Sequence, residues 1–145
     1  QVDATRLQAW LAPALKGFVP EEEMAAFANA VRGNIVFPHD ARLWAEAVYA
    51  DALPLSDDAR TVLEGASSEF FRAAVAALSE DMDFKAFTQR VKQAGSASGK
   101  ALFLPLRAAL TGQTFGPEMP ALFSLMGHAR ARHRLMQHVL SSEID

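Results

Sequence analysis

Cysteine is absent from this 145-residue chain, which excludes a disulfide framework and a thiolate metal site and fits a reducing compartment. Long apolar runs are absent too. Runs such as 101–106 and 122–126 fall far short of the roughly 20 residues that a membrane span needs, so no membrane segment is expected. No stretch alternates with period two for more than a few residues, which argues against a β-sheet, and no internal repeat is present. There is no Gly-x-Ser-x-Gly elbow and no dinucleotide fingerprint, so nucleophilic catalysis has no candidate residue. The chain opens on Gln1 without a basic and apolar leader; a signal peptide is not expected, and a piece of a longer protein is.

Acidic residues are scarce in one half only. Residues 1–84 carry six Lys and Arg against fourteen Asp and Glu. Residues 85–142 carry eight (Lys85, Arg90, Lys92, Lys100, Arg107, Arg130, Arg132, Arg134) against the single Glu118. The net charge of −3 therefore conceals a basic back half. Phosphate neutralisation needs cations gathered in one region rather than a positive chain overall, and this division provides the gathering. Taken alone, the same division also suits basic helices pairing with the acidic front half.

Two constellations imitate sites. The segment Gly95-Ser96-Ala97-Ser98-Gly99-Lys100 resembles a phosphate-binding loop, but three residues instead of four separate its glycines, and Ala101 stands where a magnesium-binding hydroxyl belongs. It is expected to be a flexible connector at one end of a helix. His128, His133 and His138 recur every five residues, which turns each about 140° from the last on a helix, so they cannot converge on a metal. They are expected at the surface or facing RNA, and no metal site is expected.

With half of its residues hydrophobic, the chain can bury a substantial core in one domain or two small ones. Leu7, Leu11 and Leu15 repeat at helical spacing up to Gly17, and Pro20 followed by Glu21, Glu22 and Glu23 opens the next helix with carboxylates at its positive end. After a loop at 33–38, a helix from about Asp40 presents Leu43, Trp44, Ala47, Val48 and Leu53. Pro54 breaks the chain, and Ser56 is a good N-cap ahead of Asp57 and Asp58. The boundary falls there, giving subdomains 1–53 and 54–145. One long helix with Leu63, Phe70, Phe71, Val75 and Leu78 follows, then one capped by Asp83 with Phe84, Phe87 and Val91.

The densest punctuation lies at 99–127. Pro105 should start or kink a helix, Gly112 sits where a left-handed cap closes it, and Gly116-Pro117-Glu118 turns the chain into a second short helix ended by Gly127. Helix, corner and helix make a rigid mount for Arg107, with Thr111 one turn further along. The neighbours of Arg107 are apolar, leaving few protein acceptors, which points to an external partner.

Gly99-Lys100, Pro105-Leu106-Arg107, Ala109-Leu110-Thr111-Gly112, Gly116-Pro117-Glu118 and Gly127 resemble the C-terminal signature of bacterial glutamyl-tRNA synthetases. Phe27, Ala30, Val31-Arg32-Gly33-Asn34, Ala41, Arg42 and Trp44 are similar to an earlier stretch in the C-terminal half of those enzymes, in the same order and spacing. The resemblance covers nearly all of the chain. It implies an all-α fold in which the two helical subdomains form an anticodon-binding cage, in a cytoplasmic, monomeric ligase. The implied partners are glutamate-accepting tRNA and the catalytic domain of the same polypeptide. ATP and magnesium would belong to that domain, since signatures of the His-Ile-Gly-His and Lys-Met-Ser-Lys-Ser types are missing here. No cofactor and no catalytic residue is expected in this chain.

Position by position, Arg107, Gly116 and Met119 match places where the family meets the anticodon, the last two through backbone or apolar atoms only. Arg32 matches the arginine that senses the last anticodon base. Lys100 and Arg130 are expected on backbone phosphates. The alternative from another class is a free-standing helical module that keeps this fold but docks a protein on the same basic face.

Overall fold

The computed structural model describes residues 4–94 and 99–144, with side chains described for 5–94 and 99–139. Among these residues the ordered elements are helical: α1 (Ala4–Leu15), α2 (Met24–Val31), α3 (Asp40–Tyr49), α4 (Asp57–Glu64), α5 (Ser68–Ala77), α6 (Phe84–Gln93), α7 (Lys100–Thr111) and α8 (Met119–Ile144). Single 3-10 turns at Glu21–Glu23 and Arg32–Asn34 flank α2. The fold is all-α, as expected. The segment 95–98, which holds most of the loop with phosphate-loop character, lies outside the described residues.

Short polar side chains start the helices by satisfying backbone donors that have no partner in the first turn. Ser56 Oγ accepts from Ala59 N at 3.0 Å, Ser67 Oγ from Phe70 N at 3.1 Å and Asp83 Oδ1 from Ala86 N at 2.8 Å. Asp40 acts in the opposite direction: its Oδ2 accepts from Val36 N at 2.9 Å and Phe37 N at 2.8 Å, folding the loop before α3 back onto its first turn. The Phe37 and then the Val36 amides hold its carboxyl below the usual carboxylate range.

Two expectations change. The single long helix after Ser56 is two, because α4 ends at Gly65 and Ser67 caps a new start for α5. The third helix ends at Tyr49, so Leu53 lies beyond it in the connection to α4.

The buried residues form one cluster that runs from Leu7, Leu11 and Leu15 through Phe27 and Trp44 to Phe71, Phe87, Leu106, Leu122 and Leu135. Phe84, Phe87 and Phe123 stack within it, with ring centroids 5.4 Å apart for each pair that includes Phe123. The cluster continues across position 53/54, where the sequence placed its boundary. The long α8 packs against α2, α3, α5, α6 and α7, and so serves as the central strut of both halves. Its backbone leaves helical geometry at Gly127 (φ 82°, ψ 164°), which ends the short helix where the punctuation placed that end. No helix among the described residues is long and apolar enough to cross a membrane.

Candidate nucleic-acid interface

The corner between α7 and α8 is built by close backbone approach. Gly112 closes α7 in the left-handed region (φ 76°), and its N donates to Ala108 O at 2.9 Å. A Cβ at Gly112 would overlap the Pro54 carbonyl oxygen, while Ser56 N donates to Gly112 O at 2.9 Å, so the corner is stitched to the start of α4. Thr111, buried, donates from Oγ1 to Arg107 O at 2.7 Å and accepts from Gln113 N at 3.2 Å. At Gly116 (φ 137°) the backbone lies directly on the buried Trp44 ring of α3, leaving no room for any side chain. Pro105 stands inside α7 rather than at its start, and is buried.

Arg107 is half-buried at this corner, and its Nη1 donates to Pro117 O at 3.0 Å. Few local acceptors were expected, and one is present: the turn that the glycines and Pro117 create brings a carbonyl to the guanidinium. Among the described residues that is its one hydrogen-bond partner, which leaves four of the five donors of a guanidinium uncommitted. Burial pushes its pKa below the usual arginine value.

Gly116 and Met119 share this corner, but the Met119 side chain belongs to the core, 6% exposed. Lys100 is exposed at the start of α7, two turns, or about 10 Å, from Arg107 along the helix axis. Arg32 sits apart in the 3-10 turn after α2, with Nη1 3.3 Å from Asn29 Oδ1. Arg130 lies just after the break in α8; its guanidinium covers the Tyr49 ring at 5.3 Å and donates to Met126 O at 3.1 Å. The corner thus gathers Arg107, Gly116 and Met119, whereas Arg32 stands on another element and Arg130 lies further along α8, beyond its break at Gly127.

Among the described residues the basic half does not pair with the acidic half. No ion pair joins Lys85, Arg90, Lys92, Lys100, Arg107, Arg130, Arg132 or Arg134 to a carboxylate among the described residues. Lys85, Lys92, Lys100 and Arg132 are exposed, and Arg90 turns to Ala77 O and Ser79 Oγ.

One of the eight is not a surface residue at all, which corrects its place in the basic face. Arg134 is 4% exposed and reaches four backbone carbonyls: Nη1 donates to Ala47 O and to Leu110 O (2.7 Å), Nη2 to Ala50 O (2.9 Å) and Val48 O (3.3 Å). It joins the C-terminal ends of α3 and α7, where carbonyl dipoles favour a cation. Desolvation, reinforced by Arg130, pushes its pKa down to about 10. His138 also departs from the expected surface position, being half-buried with its ring 5.0 Å from that of Phe71. Among the described residues no group of His, Asp and Glu could hold a metal ion.

The fold is an all-α domain with a glycine-built corner around an arginine, and residues 4–139 match the family model of the anticodon binding domain. The chain belongs to that family. It is 42% identical to glutamate–tRNA ligase 2 of Nitrosococcus oceani over 138 residues, covering 94% of this chain and 29% of that protein. It is 47% identical to glutamate–tRNA ligase 2 of Acidithiobacillus ferrooxidans over 127 residues, 87% of this chain and 26% of that protein. Against glutamate–tRNA ligase 1 of Methylococcus capsulatus the identity is 38% over 135 residues, 92% of this chain and 29% of that protein. The chain thus spans under a third of the length of these relatives.

Proposed function

We propose that this chain reads the anticodon of a glutamate-accepting tRNA as the non-catalytic part of a glutamate–tRNA ligase. The observation that carries this reading is Arg107. A half-buried guanidinium, desolvated, tied by one N–H to Pro117 O and without a carboxylate among the described residues, keeps the remainder of its fork uncommitted at a rigid corner. A forked donor in a fixed place suits bidentate contact with the acceptor edge of an unpaired base. Gly116 and Met119 offer main-chain groups beside it, Arg32 senses a further base, and Lys100 and Arg130 neutralise backbone phosphates. The catalytic domain of the same polypeptide supplies the site for ATP and magnesium, and the ligase works as a cytoplasmic monomer whose two recognition subdomains divide at 53/54.

The test compares cognate tRNA with an anticodon variant. Arg107→Ala should cost about 1–3 kcal/mol of discrimination, the usual worth of a bidentate base contact. Arg107→Lys, which can keep one donor on Pro117 O but lacks the fork, should lose discrimination with the fold intact by circular dichroism. Lys100→Ala and Arg130→Ala should weaken both RNAs alike and lower the salt slope by about one each. Equal weakening of cognate and variant RNA by both Arg107 substitutions would overturn the base-reading role. The isolated chain should support no glutamate-dependent exchange between ATP and pyrophosphate.

A further inference from the structure

Two large exposed aromatic side chains precede and follow Arg107 in the chain. Phe115, just before Gly116, is 59% exposed; Phe103, one helical turn before Arg107 on the same surface of α7, is 47% exposed. Phe115 is anchored by a ring contact. The Phe115 ring stands nearly perpendicular to Trp44, at 85° with 5.6 Å between centroids, and Trp44 is itself buried and covered by the Gly116 backbone. Phe103 projects from the first turn of a helix whose opposite side is core. Lys100 completes the series at the other end of the same surface, so the order from the start of α7 to the corner is cation, aromatic, cation, aromatic.

We propose that Phe103 and Phe115 are stacking platforms for two unpaired bases of the RNA loop, one on each side of the base that Arg107 reads. This rests on the anticodon-reading role proposed above and deepens it. Alternating cations and rings are what a single strand requires: the cations follow its phosphates, while each ring accepts any base through its π-face. A protein partner would need a continuous apolar patch or paired charges. Here the two rings are separated by a guanidinium, and the corner residues between them, Gln113 and Thr114, are polar.

The experiment uses the 145-residue chain and an anticodon stem–loop RNA carrying 2-aminopurine at successive loop positions, with a loopless duplex of the same stem as control. Wild type should quench the probe at two positions on binding. Phe115→Leu, which keeps apolar bulk but removes the π-face, should bind the stem–loop about tenfold more weakly and release the quench at one position, with duplex binding unchanged. Phe115→Trp should restore both. Phe103→Leu, on an exposed helix surface where folding is not at issue, should release the other position. If both Leu variants bind and quench as wild type does, or lose duplex binding in proportion, stacking is wrong even while the wild type still discriminates anticodons. If quenching depends on both rings but the wild type ignores anticodon sequence, the base-reading role fails and stacking stands.

Discussion

Arg134 and His138 lie on the inner face of the last helix, four residues apart, and each meets its burial differently. Arg134 meets carbonyls at two helix ends, whereas the burial of His138 against Phe71 disfavours its charged form. Burial holds the His138 pKa below its ordinary value of 6.5. Unfolding restores that value, so the unfolded chain binds the extra proton. Stability should be complete above about pH 6.5 and decline as the pH falls from there towards the folded value. His138→Phe should flatten this decline, measured by urea unfolding at pH 8, 6 and 5; an unchanged slope would assign it to other groups. The inward placement was legible in the sequence, since Ala131, Arg134, Leu135, His138 and Val139 recur at helical spacing with three apolar members. Counting charges along the chain hid that phase. The bond from Arg107 to Pro117 O was not legible, because it depends on how tightly the corner folds back across ten residues.

Among the elements, those bounded by strong local signals could be read directly. Ser56, Asp83, Gly112 and Gly127 each act within one turn, and each marks the helix end or start that its chemistry predicts. The division of α4 from α5 was missed because Leu63, Phe70 and Phe71 are seven and eight residues apart, which keeps helical phase across the break at Gly65. Periodicity cannot detect an interruption that preserves phase; the Gly-Ala-Ser signal at 65–67 could have. Gly112 should be the most sensitive position of the corner. Gly112→Ala imposes a left-handed backbone on a residue with a Cβ and drives that Cβ into Pro54 O, which should cost about 2–4 kcal/mol. Thr114→Ala, two residues away and partly exposed, should remain within about 0.5 kcal/mol. Equal urea midpoints for the two variants would remove the Gly112–Pro54 approach as a structural determinant.

At the scale of the molecule, Arg134 joins what the continuous core already unites. Replacing a buried charge together with its partners can be harmless, but Arg134→Met leaves the carbonyls of Ala47, Val48, Ala50 and Leu110 in place. The expected loss is therefore about 3–5 kcal/mol, read as a lower urea midpoint at unchanged m-value. A loss below about 1 kcal/mol would mean that water replaces the guanidinium at the seam. Fold class followed from composition and period, whereas this seam did not, since it joins residues up to 87 positions apart.

That separation acquires a direction when the chain is made. Synthesis is vectorial, and α3 leaves the ribosome long before its clasp exists: 87 residues separate Ala47 from Arg134. At roughly 5–20 residues per second, the end of α3 waits roughly 4–17 s for the guanidinium that closes it. During that interval Trp44 also lacks the Gly116 backbone that covers it. The first half of this domain is thus a nascent client with an open edge, completed only when the last helix emerges.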